Sequence, residues 1–303
     1  MALPAAPTHA SALLDLELEH RKIPMSARTF LTGIKAVDQG VSPSLWTGGK
    51  LIGVVSAIGP WVRSHFHSPL HPLTWNQLIE EIISEHLLSF YERIIRNREP
   101  SNSFIIAPHS SSIISSIHSS IVDRLCNPSA TKTPLNAIQY LEKVQLLQYF
   151  DFAGLTESVE EVSALFFNMS VSSAVQQTIL YVEGVGIAIE NSQRRSGMVQ
   201  ANALLSSLLR TLVHLSRTYP CLLILLDLGL RKDSKGDDAI QSAFASATGS
   251  EMRYQPGGAL GRTLVGALDI MVLVHDAHGT VTDGSIVEVV KDRIGSTLGQ
   301  WAV

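Results

Sequence analysis

Cysteine is scarce: only Cys126 and Cys221 occur in 303 residues. They stand far apart and without metal-ligand spacing, so both read as core thiols in a reducing compartment. Long apolar runs are missing as well. None approaches the ~18 residues of a membrane span. The opening Met1-Ala2-Leu3-Pro4-Ala5-Ala6-Pro7 lacks a charged stretch followed by an apolar one, so no secretory leader is expected. Nor is there an excess of positive charge. Lys and Arg number 23 against 27 Asp and Glu, a net charge of −4. A protein coated in positive charge is thereby excluded, and any nucleic-acid contact is a local patch. What is present is apolar: 45% hydrophobic residues against 17% charged, with a mean hydropathy of +0.19. Such a chain builds a large core and has apolar area left for a partner surface.

The most informative stretch is 48–66. Gly48-Gly49 turns the chain into the apolar run Leu51–Ile58, which reads as a strand buried on both faces. It ends at Gly59, where an α/β nucleotide-binding domain places its phosphate loop. That loop, Gly-x4-Gly-Lys-Ser/Thr, cradles phosphate with backbone N–H groups. Its Lys reaches the β and γ oxygens, and its hydroxyl holds Mg²⁺. Counting from Gly59, Ser64 takes the second Gly position, His65 the Lys and Phe66 the hydroxyl. The site is in place and its chemistry is gone.

The remaining chain alternates buried strands with helices. Ser11–His20 is a short helix candidate. Pro69 and Pro72 argue against a helix directly behind the loop. Thr74-Trp75-Asn76-Gln77 has capping-box spacing and opens a helix to about Arg98. Strands are expected at Phe104–Ala107, Val144–Phe150, Ile179–Val182 and Cys221–Leu226, with Asp227 at the carboxyl end of the last. A Ser-rich helix carries Ile113, Ile114, Ile117, Ile121 and Leu125 on one stripe, and a second helix is expected over 156–176. Val199–Arg217 is strongly periodic, with Leu204, Leu205, Leu208, Leu212 and Leu215 inward. Residues 229–256 read as a long polar segment. Leu268–Val274 and Ile286–Val290 read as a hairpin. This order predicts an α/β fold with a mostly parallel sheet, helices on both faces and a C-terminal β-hairpin. No repeat or linker divides it, so residues 1–28 form a short N-terminal extension and 29–303 one domain.

The ordered landmarks resemble the RecA/RadA recombinase family, specifically its eukaryotic paralogues. Thr32-Gly33-Ile34 with Asp38, then Gly48-Gly49 and the strand to Gly59, resembles the family's approach to its phosphate loop. Ile179–Val182 with Glu183 resembles the Walker B strand, with Glu for the usual Asp. Glu190–Gly197, with Arg194 and Arg195, lies where the first DNA-facing loop would be. The segment 229–256, with Arg231, Lys232 and Lys235, lies where the second would be, closed by Pro256-Gly257-Gly258. Val287–Gly295, with Lys291 and Arg293, resembles the late strand and basic turn. The resemblance implies a RecA-like core and DNA contacts from those seven basic residues. The departures imply the loss of catalysis. The nucleotide site of Gly59, Arg63, Ser64, His65, Phe66 and Glu183 is degenerate, the expected catalytic carboxylate falls at Pro108, and the sensor residue falls near Leu228. Nothing is left to position or activate water. ATP is therefore not an expected cofactor, nor ATP hydrolysis an expected activity.

Other polar groups have simpler readings. His65, His67 and His71 fit no common metal site. Glu183 suits a polar or capping role as well as Mg²⁺. Arg210, His214 and Arg217 form a basic stripe that a solvated helix face explains. Phe244-Ala245-Ser246-Ala247 resembles the Phe-x-x-Ala peptide by which recombinases dock on one another. Trp61, Phe66 and Trp75 could fill the dead phosphate pocket, alone or with a partner. The function implied is that of a nuclear, non-catalytic paralogue that binds a related subunit. It would assist a recombinase filament on single-stranded DNA in homologous recombination repair, without a membrane. A RecA-like subunit of the Elongator tRNA-modification complex is the alternative. An ATPase with an unorthodox loop is a third reading.

Overall fold

β-branched and leucine-rich runs recur along this chain with almost no polar interruption, as a sheet covered on both faces requires. The computed structural model describes residues 29–56, 75–97, 103–126, 137–168, 177–229, 240–245, 251–254, 258–276, 285–293, 295 and 297–302. In chain order these form α1 (Lys35–Gly40), β1 (Lys50–Ser56), α2 (Trp75–Asn97), β2 (Ser103–Pro108), α3 (Ile113–Leu125), α4 (Ala137–Leu141), β3 (Val144–Tyr149) and α5 (Phe152–Asn168). They continue with β4 (Thr178–Val182), α6 (Val185–Thr218), β5 (Leu222–Asp227), β6 (Ile240–Ala245), β7 (Glu251–Tyr254), α7 (Gly258–Ala267), β8 (Ile270–Asp276), β9 (Ser285–Asp292) and β10 (Trp301–Ala302).

Eight strands form one sheet in the order β10-β9-β8-β1-β5-β4-β2-β3. All neighbours from β8 to β3 are parallel, whereas β8–β9 and β9–β10 are antiparallel. This is the expected α/β architecture, consistent with a RecA-like core. β1 lies in the middle, with Ile52 opposite Leu225 on one side and Ile270 on the other. Alternate residues of each strand feed two cores. Ile52, Val54, Ile105, Tyr181 and Leu225 pack under α1–α4. Leu51, Val55, Phe104, Leu180 and Ile224 pack under α5–α7.

Several expectations need correction. The Glu190–Gly197 stretch is helical: α6 runs from Val185 to Thr218, kinked at Gly197, whose φ is 82°. Polar residues on a solvated helix give no apolar period, so the stretch reads as a loop in sequence. α5 starts at Phe152 rather than 156, because the Asp151 Oδ1 accepts the Gly154 N–H at 2.9 Å and turns the chain into helix. The polar segment 229–256 contains the antiparallel pair β6–β7. α7 is an addition to the expected elements, since three glycines in ten residues hide its Leu260 and Leu264. Leu204 is only half-buried, and Leu209 joins the core instead. Cys221 is buried, but Cys126 is exposed at the end of α3. The candidate helix at Ser11–His20 lies outside the described residues.

The amino edge of the sheet is tied by one buried carboxylate. Asp269, 1% exposed, accepts the Leu51 N–H at 3.0 Å and the Arg217 guanidinium at 2.5 Å. It joins the starts of β1 and β8 to the end of α6. The basic stripe of Arg210, His214 and Arg217 is thus solvated at its first two members and internally paired at the third. Replacing Asp269 with Ala removes a charge-assisted bond and orphans a buried N–H. We expect urea denaturation to show a loss of about 2–3 kcal/mol. Adding Arg217→Ala should then cost little more, whereas additive losses would show that the two side chains do not work as a pair.

Candidate functional site

Ligands of open α/β sheets bind beyond the carboxyl ends of the strands. In this chain Glu183 and Asp227 stand at that edge, and both are engaged. Glu183 follows β4, where its Oε2 accepts the Ser111 hydroxyl at 2.5 Å. Its backbone N–H donates to the Ile106 carbonyl at 2.9 Å, and its carbonyl accepts the Tyr149 hydroxyl at 2.7 Å. Ser111 Oγ in turn accepts the Ile113 N–H at 3.1 Å, at the start of α3. Asp227 ends β5, and its two oxygens accept the N–H groups of Gly184 and Gly229, each at 3.0 Å. Both carboxylates therefore brace the turns that leave the sheet.

Close backbone packing makes this edge compact. Gly184 has φ 72°, a left-handed turn that glycine tolerates without strain. A Cβ on Gly186 would stand 1.7 Å from the Leu228 carbonyl oxygen, so the first turn of α6 rests directly on the end of β5. Leu228, at the expected sensor position, is buried, and its N–H donates to the Val54 carbonyl at 3.0 Å. Pro108, at the expected catalytic-carboxylate position, closes β2. The approach landmarks are structural too. Thr32 donates its N–H and its hydroxyl to Asp38 Oδ1 at 2.9 and 2.8 Å.

Gly59, Arg63, Ser64, His65 and Phe66 lie outside the described residues, as do Trp61, His67, His71, Arg231, Lys232 and Lys235. Trp75 opens α2, and nothing is described of its side chain. Phe244 and Ala245 close β6, and the rest of that tetrapeptide lies outside the described residues. Among the described residues no group of three His, Cys, Asp or Glu could hold a metal ion. No described helix is long and apolar enough to cross a membrane.

The four described members of the seven basic residues do not share one surface. Lys291 is half-buried and donates its ammonium to the Val265 and Leu268 carbonyls at the end of α7. Burial, then the Arg293 charge, lowers its pKa. Arg293 is exposed, with its N–H on the Asp269 carbonyl at 2.8 Å. Both lie at the amino edge, since Met271 at the start of β8 pairs with Lys291. Arg194 and Arg195 lie at the opposite edge, on the exposed first half of α6. Arg194 makes an i,i+4 pair with Glu190 at 3.4 Å while remaining 61% exposed.

Beside Arg195 lies a groove of about 420 Å³, between the ends of β2 and β3 and the starts of α5 and α6. Phe150, 81% exposed, stands at its rim and stacks against His109 with ring centroids 4.8 Å apart. Ser111, Tyr149 and this aromatic pair escape a reading of the sequence alone. The available signal is an aromatic placed just past a strand's carboxyl end, in Tyr149-Phe150-Asp151-Phe152.

No family model matches the chain, and no curated protein shows significant similarity to it.

Tyr149 offers a test of the bracing role. Burial, then the Glu183 and Asp227 charges, pushes its phenol well above the ordinary value of 10.0. A raised phenol pKa contributes stability below the unfolded value and loses it as the pH climbs past that value. Tyr149→Phe should cost about 1 kcal/mol at neutral pH through the lost bond to Glu183. In paired thermal melts the wild-type advantage should shrink above pH 10. A gap that stays constant across that range would show that the phenol is not held neutral by the fold.

Proposed function

We propose that this chain is a non-catalytic RecA-like subunit, a recombinase paralogue with a degenerate nucleotide site. It binds a related RecA-like subunit and assists a recombinase filament on single-stranded DNA during homologous recombination repair, in the nucleus. The reading rests on the ordered landmarks of the sequence and on the sheet that they build. The observation that carries it is the division of labour at the carboxyl edge. Glu183 and Asp227 are committed to internal hydrogen bonds, while Arg194 and Arg195 stand exposed beside a groove.

The chain's charge argues for a complex. With a net charge of −4, it neutralises few phosphates alone, so a partner must complete the DNA path. Affinity purification of the full chain from its own cells tests the proposal. A recombinase or a second RecA-like paralogue should co-purify in stoichiometric amount. Recovery of Elongator subunits instead would overturn the recombination reading.

A further inference from the structure

The groove joins Asn191, Ser192, Arg195 and Ser196, from the stretch set where the first DNA-facing loop would be, to Phe150 and Ile187, which the landmarks of the sequence leave without a role. Phe150 lines it from the end of β3, and α6 contributes the apolar Ile187 together with Asn191, Ser192, Arg195 and Gln200. Both apolar residues are unusually exposed, Phe150 at 81% and Ile187 at 60%. Its volume of about 420 Å³ falls in the range of small-molecule sites. We propose that this groove takes one unit of a single-stranded polynucleotide, with the base stacked on Phe150 and the adjoining phosphate paired with Arg195. This rests on the nucleic-acid half of the function proposed above.

The chemistry favours that occupant. Phe150 already stacks on His109, whose N–H bonds the Tyr149 carbonyl at 3.0 Å. The ring is therefore backed by the ends of β2 and β3 rather than loose in solvent. A backed, exposed ring is a platform for any base, because every base has a π-face. Asn191, Ser192 and Gln200 supply amide and hydroxyl groups that both donate and accept, as base edges do. Arg195 makes no ion pair among the described residues and is the groove's one cationic group. A free nucleoside triphosphate brings several negative charges, which one guanidinium does not balance. A polynucleotide brings one charge per unit, which it does. The groove's acidic member, Asp151, holds the Gly154 N–H through Oδ1 and caps α5, so part of its charge is engaged.

Helical spacing explains how Arg195 reaches this place: Ile187, Asn191 and Arg195 stand four apart on α6 ahead of its kink, and all three line the groove. Gly197 adopts φ 82° and ψ 169°, and a methyl group added at its Cα would meet no atom within 4 Å. Arg195 and Ser196 both line the groove just ahead of this kink.

The test uses the full chain with its co-purified partner and fluorescence anisotropy. The probes are oligothymidine, oligouridine and an abasic oligonucleotide of equal length. Phe150→Ala should weaken binding of the oligonucleotides that carry bases about tenfold. It should leave the abasic strand, with the same charge and no base, unchanged. Phe150→Tyr should restore binding. Arg195→Ala should weaken all three strands and reduce the salt slope by about one. Photocrosslinking with 5-iododeoxyuridine should map to Phe150 or His109. Equal binding of oligothymidine by wild type and Phe150→Ala, with crosslinks elsewhere, would overturn the groove assignment while leaving the function reading standing. Loss of partner subunit on Phe150→Ala, with strand affinity of the remaining complex unchanged, would also overturn it, in favour of a protein contact. A preference for oligouridine with the same Phe150 dependence would support the groove and overturn the recombination reading.

Discussion

A single buried carboxylate fixes the geometry on which the rest depends. Asp269 receives the backbone of β1 and the guanidinium at the end of α6, at the point where β8 begins. The central strand of a parallel sheet has few side-chain handles, because both its faces are packed apolar surface. A charge-assisted tie at its start sets its register against β8 and the long helix together. α6 then runs from that tie back to the carboxyl edge, where its first turn lies on the end of β5 through Gly186. Both ends of the helix are thereby pinned, and only the kinked stretch around Gly197 stands away from the core.

This arrangement sorts the polar groups of the chain. At the amino edge, Asp269, Arg217 and Lys291 satisfy one another or the backbone, and Lys50 donates to the Ser44 carbonyl. At the carboxyl edge Glu183 and Asp227 are equally engaged. The exposed arginines of α6, the groove and the exposed Phe150 ring lie at that edge, where α/β folds bind their ligands.

Seven strands of the main sheet, the helices α2, α3, α5 and the second half of α6, and both faces of the core were legible in the sequence, because burial on two faces writes itself as continuous apolar runs and helical stripes, whereas β6, β7 and β10 carry no such run. The position of Glu183 was legible for the same reason: it closes a strand. Its partners were not, since Ser111 and Tyr149 meet it only when β2, β3 and β4 come side by side. The helical state of Glu190–Gly197 was hidden because a solvated helix needs no apolar residues. α7 was hidden by Gly258, Gly261 and Gly266. The seven basic residues looked like one set in the sequence, but antiparallel pairing of β8 and β9 returns Lys291 and Arg293 to the far edge of the sheet.

The central claim is that this sheet presents a binding edge without nucleotide chemistry. Calorimetric titration of the full chain with Mg-ATP, paired with a phosphate-release assay, tests it most directly. The imidazole of His65 and the ring of Phe66 supply neither the ammonium nor the hydroxyl that a phosphate site needs. No binding heat and no phosphate release above background should appear, with or without single-stranded DNA. Micromolar ATP binding that disappears on Arg63→Ala would contradict it, by showing that Arg63 stands in for the missing lysine.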